Sequence, residues 1–457
     1  MRSMMKSLLL IGACSMVMAG CSGNNGGAPG ATNSTNTNGN ANGKSQATES
    51  PANNKTSDEK VELNFYYPVA VGGPITKVVE SMTNAFMDEN PNITVKPIYT
   101  GSYADTMIKT QAAVQGGSPP DVAVLLSTEL FTLLDMNAIE PLDEMIAADG
   151  GDEYVNDFYP AFMENTITDD KIWGIPFQRS TIVLYYNKEM FKEAGLDPEK
   201  APGTWDELAE YATKLTKDGQ WGLEIPSTGF QYWMFQTLAL QNGDNVMSQD
   251  GKKVFFDTPE NVEALQYWAD LAKVNKAMPE GAIEWGTVPS DFIEGKTAMM
   301  YHTTGNLTNV KNNAKFDFGV SMLPKNKQYG TPTGGGNFYI FKGIDKAKQE
   351  AAWKFVKFMT SSENIANWSI ETGYVAPRKS AYETEAMKAY TAEFPSALVA
   401  RDQLEYASAE LSTHNNGKVT KIFNDAIQSV LTGSADPAAA LKKAQEEADK
   451  ALEPFNK

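Results

Sequence analysis

The chain has very few side chains suited to metal, thiol or histidine chemistry. Its 457 residues include only two cysteines and two histidines. A structural zinc site usually needs four Cys or His ligands and a disulfide framework needs several cysteine pairs, so both classes are disfavoured. Basic residues are also scarce, because 39 Lys and Arg stand against 57 Asp and Glu, a net charge of −18. An acidic chain without a basic block does not favour nucleic acid as a partner.

A long hydrophobic run occurs only near the N-terminus. Arg2 and Lys6 accompany an apolar stretch over residues 8–18, which has the proportions of a signal peptide and is too short for a permanent membrane span. Two small residues then precede Cys21 and resemble the lipobox of bacterial lipoproteins. We therefore predict that residues 1–20 are a lipoprotein signal peptide and that Cys21 carries the lipid. An ordinary secretory signal is the alternative.

The segment that follows has no means of forming a core. Residues 22–60 contain no aromatic residue and no Val, Ile, Leu or Met. Such a segment buries too little apolar surface to fold, and a coil of this length reaches roughly 35 Å. We predict that residues 21–60 are a disordered tether to a membrane. Because Cys14 would leave with the signal, the folded body would contain no cysteine.

From Val61 onward the chain alternates strand-like and helix-like segments, and 42% of the whole sequence is hydrophobic. The pattern predicts strands at Val61–Val69 and Ile93–Tyr99, a helix at Trp205–Leu215 and a terminal helix from Pro437. Strands separated by helices of about a dozen residues predict an α/β layer fold with a mostly parallel sheet.

The loops at the predicted carboxyl ends of the strands share a composition rich in glycine, hydroxyl and aromatic residues. Ligands bind at this end of open α/β sheets. Small residues allow close backbone approach, hydroxyls and amides form hydrogen bonds, and aromatic faces stack on sugar C–H groups. The composition predicts a site for a polyhydroxylated ligand. These loops are residues 68–74, 101–103, 127–128, 178–181, 229–233, 303–306 and 334–337.

Motifs typical of catalysis or nucleotide binding are incomplete. Residues 295–297 (Gly-Lys-Thr) resemble the end of a P-loop, but Ser290 stands where the first glycine is required, so we predict a turn. Residues 334–336 lack dinucleotide-binding spacing. We favour His302 as a packed core residue over a ligand. We predict no catalytic residue, no metal and no cofactor.

Residues 184–198 (LYYNKEMFKEAGLDP), followed by Thr204-Trp205, form the most specific stretch of the chain. With residues 84–145 and 174–207, they resemble the bacterial extracellular solute-binding proteins of family 1, nearest to the sn-glycerol-3-phosphate-binding proteins of ABC importers. The resemblance extends over nearly all of Val61–Lys457. It implies an α/β, two-lobed periplasmic-binding-protein (Venus-flytrap) fold that closes on a ligand in the cleft between its lobes.

Within such a fold the chain crosses between the lobes more than once. We predict an N-terminal lobe of residues 61–176 plus 303–345, and a C-terminal lobe of residues 177–302 plus 346–457. The resemblance also implies a monomer that docks on ABC permease subunits. Its place would be the outer face of the cytoplasmic membrane, which is periplasmic in a Gram-negative cell.

The resemblance implies ligand-binding residues in matching segments, and Tyr67 completes the predicted set. Two positions depart from the family pattern: Ser127 stands for a cleft Glu, and residues 412–416 (STHNN) lack a ligand-binding Arg. Arg179 or Arg378 could replace this Arg as the partner of a phosphate, or helix N-termini after Gly72-Gly73 and Gly305 could bind the phosphate through backbone amides. The other predicted residues are Tyr103, Ser180, Phe230, Trp233, Thr304, Gly334, Gly335 and Tyr374.

Loss of both an acid and a base favours a neutral sugar or oligosaccharide, with a glycerol-3-phosphate-like solute as the alternative. We therefore predict a lipid-anchored receptor that delivers such a solute to an ABC permease. A surface glycosidase is a second hypothesis, but the recognised cleft segments supply no suitable carboxylate pair. A carbohydrate-binding adhesin is a third, and it gives no reason for a cleft of small and aromatic residues.

Overall fold

The computed structural model describes residues 60–456. The predicted signal peptide, the lipidation site Cys21 and the tether up to residue 59 lie outside these residues, so all three stay predictions. No helix between residues 60 and 456 combines the length and apolar character needed to cross a membrane.

The described chain contains ten strands and eighteen α-helices. The strands are β1 Val61–Tyr67, β2 Ile93–Tyr99, β3 Val122–Leu126, β4 Ile167–Thr168, β5 Lys171–Ile172, β6 Ile175–Asn187, β7 Met299–Thr303, β8 Phe318–Ser321, β9 Thr331–Ile340 and β10 Ala407–Ser408. The predicted strand Ile93–Tyr99 matches β2 at both ends.

Helices of very different length connect these strands. They are α1 Ile75–Glu89, α2 Tyr103–Gln115, α3 Leu130–Asp135, α4 Asp143–Ala148, α5 Asp152–Asn156, α6 Pro160–Met163, α7 Lys188–Glu193, α8 Trp205–Leu215, α9 Gln231–Gln241, α10 Pro259–Lys273, α11 Val288–Ile293, α12 Leu307–Asn313, α13 Lys346–Met359, α14 Ser362–Thr372, α15 Glu385–Glu393, α16 Val399–Asp402, α17 Asn416–Leu431 and α18 Pro437–Leu452. The predicted helices at Trp205–Leu215 and from Pro437 are confirmed as α8 and α18.

The main sheet has the strand order β2-β1-β3-β9-β6-β7, with β10 paired to β9 and β8 paired to β6. Strand β1 runs parallel to β2 and β3, as predicted. However, β9 is antiparallel to β3 and β6, and β6 is antiparallel to β7 and β8. The prediction of a mostly parallel sheet is therefore wrong beyond β3. Alternation of helices and strands does not determine the direction of a strand that joins the sheet after a long intervening segment.

Strand β6 joins two parts of the molecule. Its first half, residues 175–181, pairs with β9, and its second half, residues 182–187, pairs with β7 and β8. All thirteen of its residues are buried. Burial along the whole strand explains the unbroken apolar run of residues 182–186, whereas the polar residues 178–181 of the first half need hydrogen-bond partners inside the protein.

Two large hydrophobic clusters lie on either side of this crossing. One contains Phe65 of β1, Phe86 of α1 and Phe355 of α13, and the ring centroids of Phe65 and Phe355 are 5.1 Å apart. The other contains the second half of β6 and helices such as α9 and α17, where the Phe235 and Phe423 rings meet edge to face at 5.2 Å. Each cluster is the core of one lobe.

The packing bears on where each lobe begins and ends. Phe355 and Trp368, in segments predicted for the C-terminal lobe, belong to the same cluster as β1. Leu307 and Val310, in a segment predicted for the N-terminal lobe, belong to the other cluster. The lobe boundaries stay a prediction, and any revision has to place α13 and α14 with β1.

Candidate functional site

A cleft of about 840 Å³ opens between segments of both clusters. Its walls come from the loop after β1, the start of α2, the end of β3, the start of α9, the turn before α11, and helices α12 and α17. A smaller space of about 20 Å³, which we call the floor, continues it. The floor is lined by Ala70, Val71, Tyr103, Leu126, Ser180, Phe230, Trp233, Trp285, Thr303, Gly335, Tyr374 and Glu410.

Six of the predicted site residues lie together on this floor. They come from α2, β6, the start of α9, β9 and the loop after α14, so tertiary folding gathers segments far apart in the sequence. Their roles in binding stay predictions. The six are Tyr103, Ser180, Phe230, Trp233, Gly335 and Tyr374.

Local capping positions Tyr103 at the cleft. Ser102 and Asp105 form a capping box, in which the Ser102 hydroxyl accepts from the Asp105 N–H and the Asp105 carboxylate accepts from the Ser102 N–H. This pair fixes where α2 begins and makes Tyr103 its first residue. The Tyr103 side chain is 6% exposed, and its hydroxyl forms no hydrogen bond of good geometry within residues 60–456. Burial and the neighbouring Tyr374 hydroxyl raise the pKa of Tyr103. A ligand hydroxyl can complete the hydrogen bonding of Tyr103.

Three aromatic rings form one wall of the floor. The ring centroids of Phe230 and Trp285 are 4.7 Å apart, those of Trp233 and Trp285 are 6.2 Å apart, and those of Phe230 and Trp233 are 6.5 Å apart. The Trp233 indole N–H donates to the Thr333 carbonyl at 2.8 Å, which fixes this ring against β9. Phe230 and Trp285 are half-buried, whereas Trp233 is only 3% exposed, so the first two rings are the ones available to stack on a ligand.

The two predicted glycines of β9, Gly334 and Gly335, are required for different steric reasons. A Cβ on Gly334 would lie 2.3 Å from the Trp233 ring, so only glycine leaves room for that indole. Gly335 has a φ of +89°, and a Cβ there would lie 1.9 Å from the Gln178 carbonyl oxygen. Gly334 lies next to the floor rather than on it.

The remaining predicted residues do not line the floor or the cleft. Ser127 is buried and donates to Glu410 at 3.0 Å. The Thr304 hydroxyl accepts from the Thr181 N–H at 3.4 Å. Tyr67 lies on β1 with its ring centroid 6.0 Å from that of Tyr99.

Neither predicted replacement cation reaches the cleft. Arg179 is fully buried. Its guanidinium donates to Asn337 at 2.8 Å and to Thr333 at 3.0 Å, and it packs against the ring of Phe162. Burial lowers the pKa of Arg179 to about 10, so it stays charged at neutral pH. Arg378 pairs with Asp157 at 2.9 Å.

His302 is a packed core residue, as predicted. It is fully buried, and its ring centroid lies 4.0 Å from that of Trp285. The Asn306 amide donates to Nδ1 at 2.9 Å, which leaves Nε2 as the donor to the Trp285 carbonyl at 3.2 Å. Burial lowers the pKa of His302 to about 3, so the imidazole is neutral and supports Trp285.

Sequence reasoning missed two important residues of the site, Trp285 and Glu410. Trp285 lies in a turn before α11, and nothing in its spacing relates it to Phe230 or Trp233. Glu410 lies in an irregular segment among many other acidic residues. Only its position next to the missing Arg of the family pattern, at residues 412–416, could have drawn attention to it.

The electrostatics of the cleft are acidic. Burial raises the pKa of both Glu410 and Glu129 to about 7. Lys421, the cationic residue of the cleft lining, pairs with Asp425 at 2.6 Å. The site thus offers aromatic faces, hydroxyls and carboxyls to a ligand.

The family model of bacterial extracellular solute-binding proteins matches residues 81–395. The sn-glycerol-3-phosphate-binding periplasmic protein UgpB of Salmonella typhimurium is 30% identical over 405 residues, which cover 84% of this chain and 91% of that protein. The Escherichia coli K12 protein of the same name is 29% identical with the same coverage. The predicted resemblance is confirmed.

Solved structures share the fold. UgpB from Mycobacterium tuberculosis in complex with glycerophosphocholine superposes with a TM-score of 0.78 and 24% identity, covering 87% of this chain and 99% of that one. Lmo0181 from Listeria monocytogenes in complex with cycloalternan has a TM-score of 0.75 and 25% identity, covering 86% and 100%. Maltose-bound MalE3 of T. maritima has a TM-score of 0.75 and 23% identity, covering 86% and 100%. The predicted α/β, two-lobed periplasmic-binding-protein fold is confirmed.

Proposed function

The chain belongs to the bacterial extracellular solute-binding proteins, and from this premise we propose that it captures a neutral sugar, oligosaccharide or polyol for an ABC importer. The observation that carries the choice of ligand is the floor of the cleft. Three aromatic rings face hydroxyl and peptide groups there, and none of its lining residues is cationic. Aromatic faces suit the C–H surface of a sugar, and hydroxyls suit its polar edge.

The positions of the arginines argue against a phosphate ester. A bound phosphate usually has a charge-assisted donor. The Arg179 guanidinium donates to Asn337 and Thr333 behind the floor, and the Arg378 guanidinium donates to Asp157, so neither group is available to a ligand in the cleft. The buried carboxyl of Glu410 adds negative charge where a phosphate would lie.

A second candidate is a glycerol-phosphate ester. The names of the curated relatives favour it, since these are sn-glycerol-3-phosphate-binding proteins. The M. tuberculosis protein of similar fold was solved with glycerophosphocholine. Under this alternative, backbone amides of the cleft would have to hold the phosphate.

The rest of the role follows from the same premise. The protein binds its solute without turnover, closes its lobes and presents the closed form to permease subunits. It acts as a monomer on the outer face of the cytoplasmic membrane, held by a lipid on Cys21. Labelling cells with a fatty-acid analogue tests the anchor, since label should enter the wild type and be absent from Cys21→Ser.

Titration calorimetry tests the ligand class. The probes are maltose, maltotriose, ribitol, D-tagatose, sn-glycerol 3-phosphate and glycerophosphocholine. We expect one-to-one binding of at least one neutral probe, insensitive to added salt because no ion pair forms. Trp285→Ala should weaken that binding about tenfold, which corresponds to about 1.4 kcal/mol.

The matched control is Trp221→Ala, since Trp221 is 37% exposed and lines neither cleft nor floor. It should leave the affinity for the neutral probe unchanged. Binding of the phosphate esters alone, weakened by salt, would replace the proposal with the second candidate. Absence of binding to all six probes would contradict both.

A further inference from the structure

Glu410 is held at the base of the cleft by residues 164–165, which precede it by about 245 positions in the sequence. The side-chain oxygen of Asn165 accepts a hydrogen bond from the backbone N–H of Glu410 at 2.9 Å. The side-chain NH₂ of Asn165 donates to the backbone carbonyl of Glu410 at 3.0 Å. Next to it, the Ala409 N–H donates to Glu164 at 2.7 Å. These bonds fix the backbone of an otherwise irregular segment and point its side chain at the floor.

The carboxyl of Glu410 receives one hydrogen bond from each lobe. The Tyr232 hydroxyl, on α9, donates to one oxygen at 2.7 Å, and the Ser127 hydroxyl, after β3, donates to the other at 3.0 Å. Each carboxylate oxygen can accept two hydrogen bonds, so both keep an acceptor position. Glu410 is 1% exposed and lines the floor, which at about 20 Å³ admits about one water-sized group. A single hydroxyl of a ligand in the cleft can enter it and donate to Glu410.

The unpaired hydroxyl of Tyr103 lines the same small space. It is a buried donor without a partner among the described residues, and burial of an unpaired polar group is unfavourable. A ligand hydroxyl both donates and accepts, so it can satisfy Tyr103 and Glu410 together. A fully ionised phosphate group has no proton to give to an ionised carboxylate, so only the glycerol hydroxyls of such an ester could donate to Glu410.

The groups around Glu410 do not prevent its carboxyl from ionising above neutral pH. Burial raises the pKa of Glu410 to about 7, against the hydrogen bonds from Tyr232 and Ser127 and the attraction of Arg179. The nearby carboxyl of Glu129 acts in the same direction as burial. Above neutral pH the floor therefore holds an ionised carboxylate.

From this arrangement we propose that Glu410 determines specificity, by accepting a hydrogen bond from a ligand hydroxyl that also contacts Tyr103 and by repelling a phosphate group from the floor. This inference rests on the proposed function and names the group that selects within that cleft. Ser127 lies at the position where the family resemblance places an acid. Its hydroxyl donates to the carboxyl of Glu410, which lies 283 residues further along the chain.

The test is calorimetry at about pH 8, where the carboxyl is mostly ionised, with maltotriose, ribitol, D-tagatose and sn-glycerol 3-phosphate. Glu410→Gln keeps the shape and removes the charge. We expect it to weaken binding of the neutral probe about tenfold. It should also improve sn-glycerol 3-phosphate relative to that probe by at least about tenfold. Glu405→Gln, at an exposed side chain outside the cleft, is the control and should change neither affinity.

A wild type that binds a neutral probe, with unchanged affinity and unchanged discrimination in Glu410→Gln, would overturn this inference and leave the proposed function intact. A wild type that binds only sn-glycerol 3-phosphate would overturn both. If Glu410→Gln fails to fold, Tyr103→Phe replaces it. That variant should weaken the neutral probe about tenfold without lowering the melting temperature, and unchanged binding would overturn the inference.

Discussion

Glu410→Gln should make the free energy of unfolding less dependent on pH between about pH 5 and about pH 8. Burial raises the pKa of Glu410 from 4.5 to about 7 in the folded protein. Because the folded pKa is the higher one, the protonated carboxyl contributes stability below the unfolded pKa. That contribution is lost as the pH rises through the folded pKa.

Linkage gives the size of this loss. With these two pKa values, ionisation of Glu410 costs the folded state about 1 kcal/mol at about pH 5 and about 3 kcal/mol at about pH 8. The wild type should therefore lose about 2 kcal/mol of stability across this range that Glu410→Gln keeps. Glutamine can retain both hydrogen bonds, since the Tyr232 and Ser127 hydroxyls donate or accept.

Equilibrium urea unfolding at both pH values measures the difference. Glu405→Gln, at an exposed position of the same segment, controls for the chemical change itself. Titrating groups that do not interact with Glu410 are present in all three proteins and cancel in the comparison. Glu129 interacts with Glu410, and loss of the Glu410 charge lowers its folded pKa, which changes the pH dependence in the same direction. Parallel pH dependence of the wild type and Glu410→Gln would refute the reasoning, because it would mean that the carboxyl is not desolvated by folding.

Two further predictions concern the frame around the site. Gly335→Ala should destabilise the protein by more than about 2 kcal/mol, because its Cβ would lie 1.9 Å from the Gln178 carbonyl oxygen. The control is Gly343→Ala, which has a φ of +83° and no atom within 4 Å of the added Cβ, and which should cost only about 1 kcal/mol. Equal melting temperatures of the two variants would contradict the close approach at Gly335. Burial lowers the pKa of His302 from 6.5 to about 3, so the stability of the wild type should fall by up to about 5 kcal/mol as the pH drops from the unfolded to the folded pKa. His302→Gln should flatten that acid limb in urea unfolding, and an unchanged slope would show that the imidazole is not buried in neutral form.

Local patterns sufficed for most elements. The strand at β2 and the helix at α8 were predicted to the residue, because alternating burial and the Thr204 cap are local properties of the chain. The gathering of glycine- and aromatic-rich loops was also predictable, since strand ends meet at one edge of a sheet. The direction of β9 was not, because it depends on how the chain returns between lobes.

The individual roles of polar residues depended on partners far away in the sequence. Arg179 was a candidate for phosphate binding, yet it lies behind the floor with Asn337 and Thr333. Ser127 was expected at the ligand and instead donates to Glu410. These partners lie far away in the sequence, so a short stretch of sequence cannot distinguish a side chain that faces the ligand from one that is hydrogen-bonded within the protein.

The amino-acid sequence by itself predicted the alternation of strands and helices and the kind of loop that lines the cleft, because periodicity and small residues act over short stretches of chain. The two-lobed architecture was predicted only through the resemblance of specific segments to a known family. Only the tertiary structure decided which charges face the ligand. It places Trp285 against Phe230, removes Arg179 from the cleft and brings Glu410 to Ser127, because burial and hydrogen bonding between segments 283 residues apart exist only after folding.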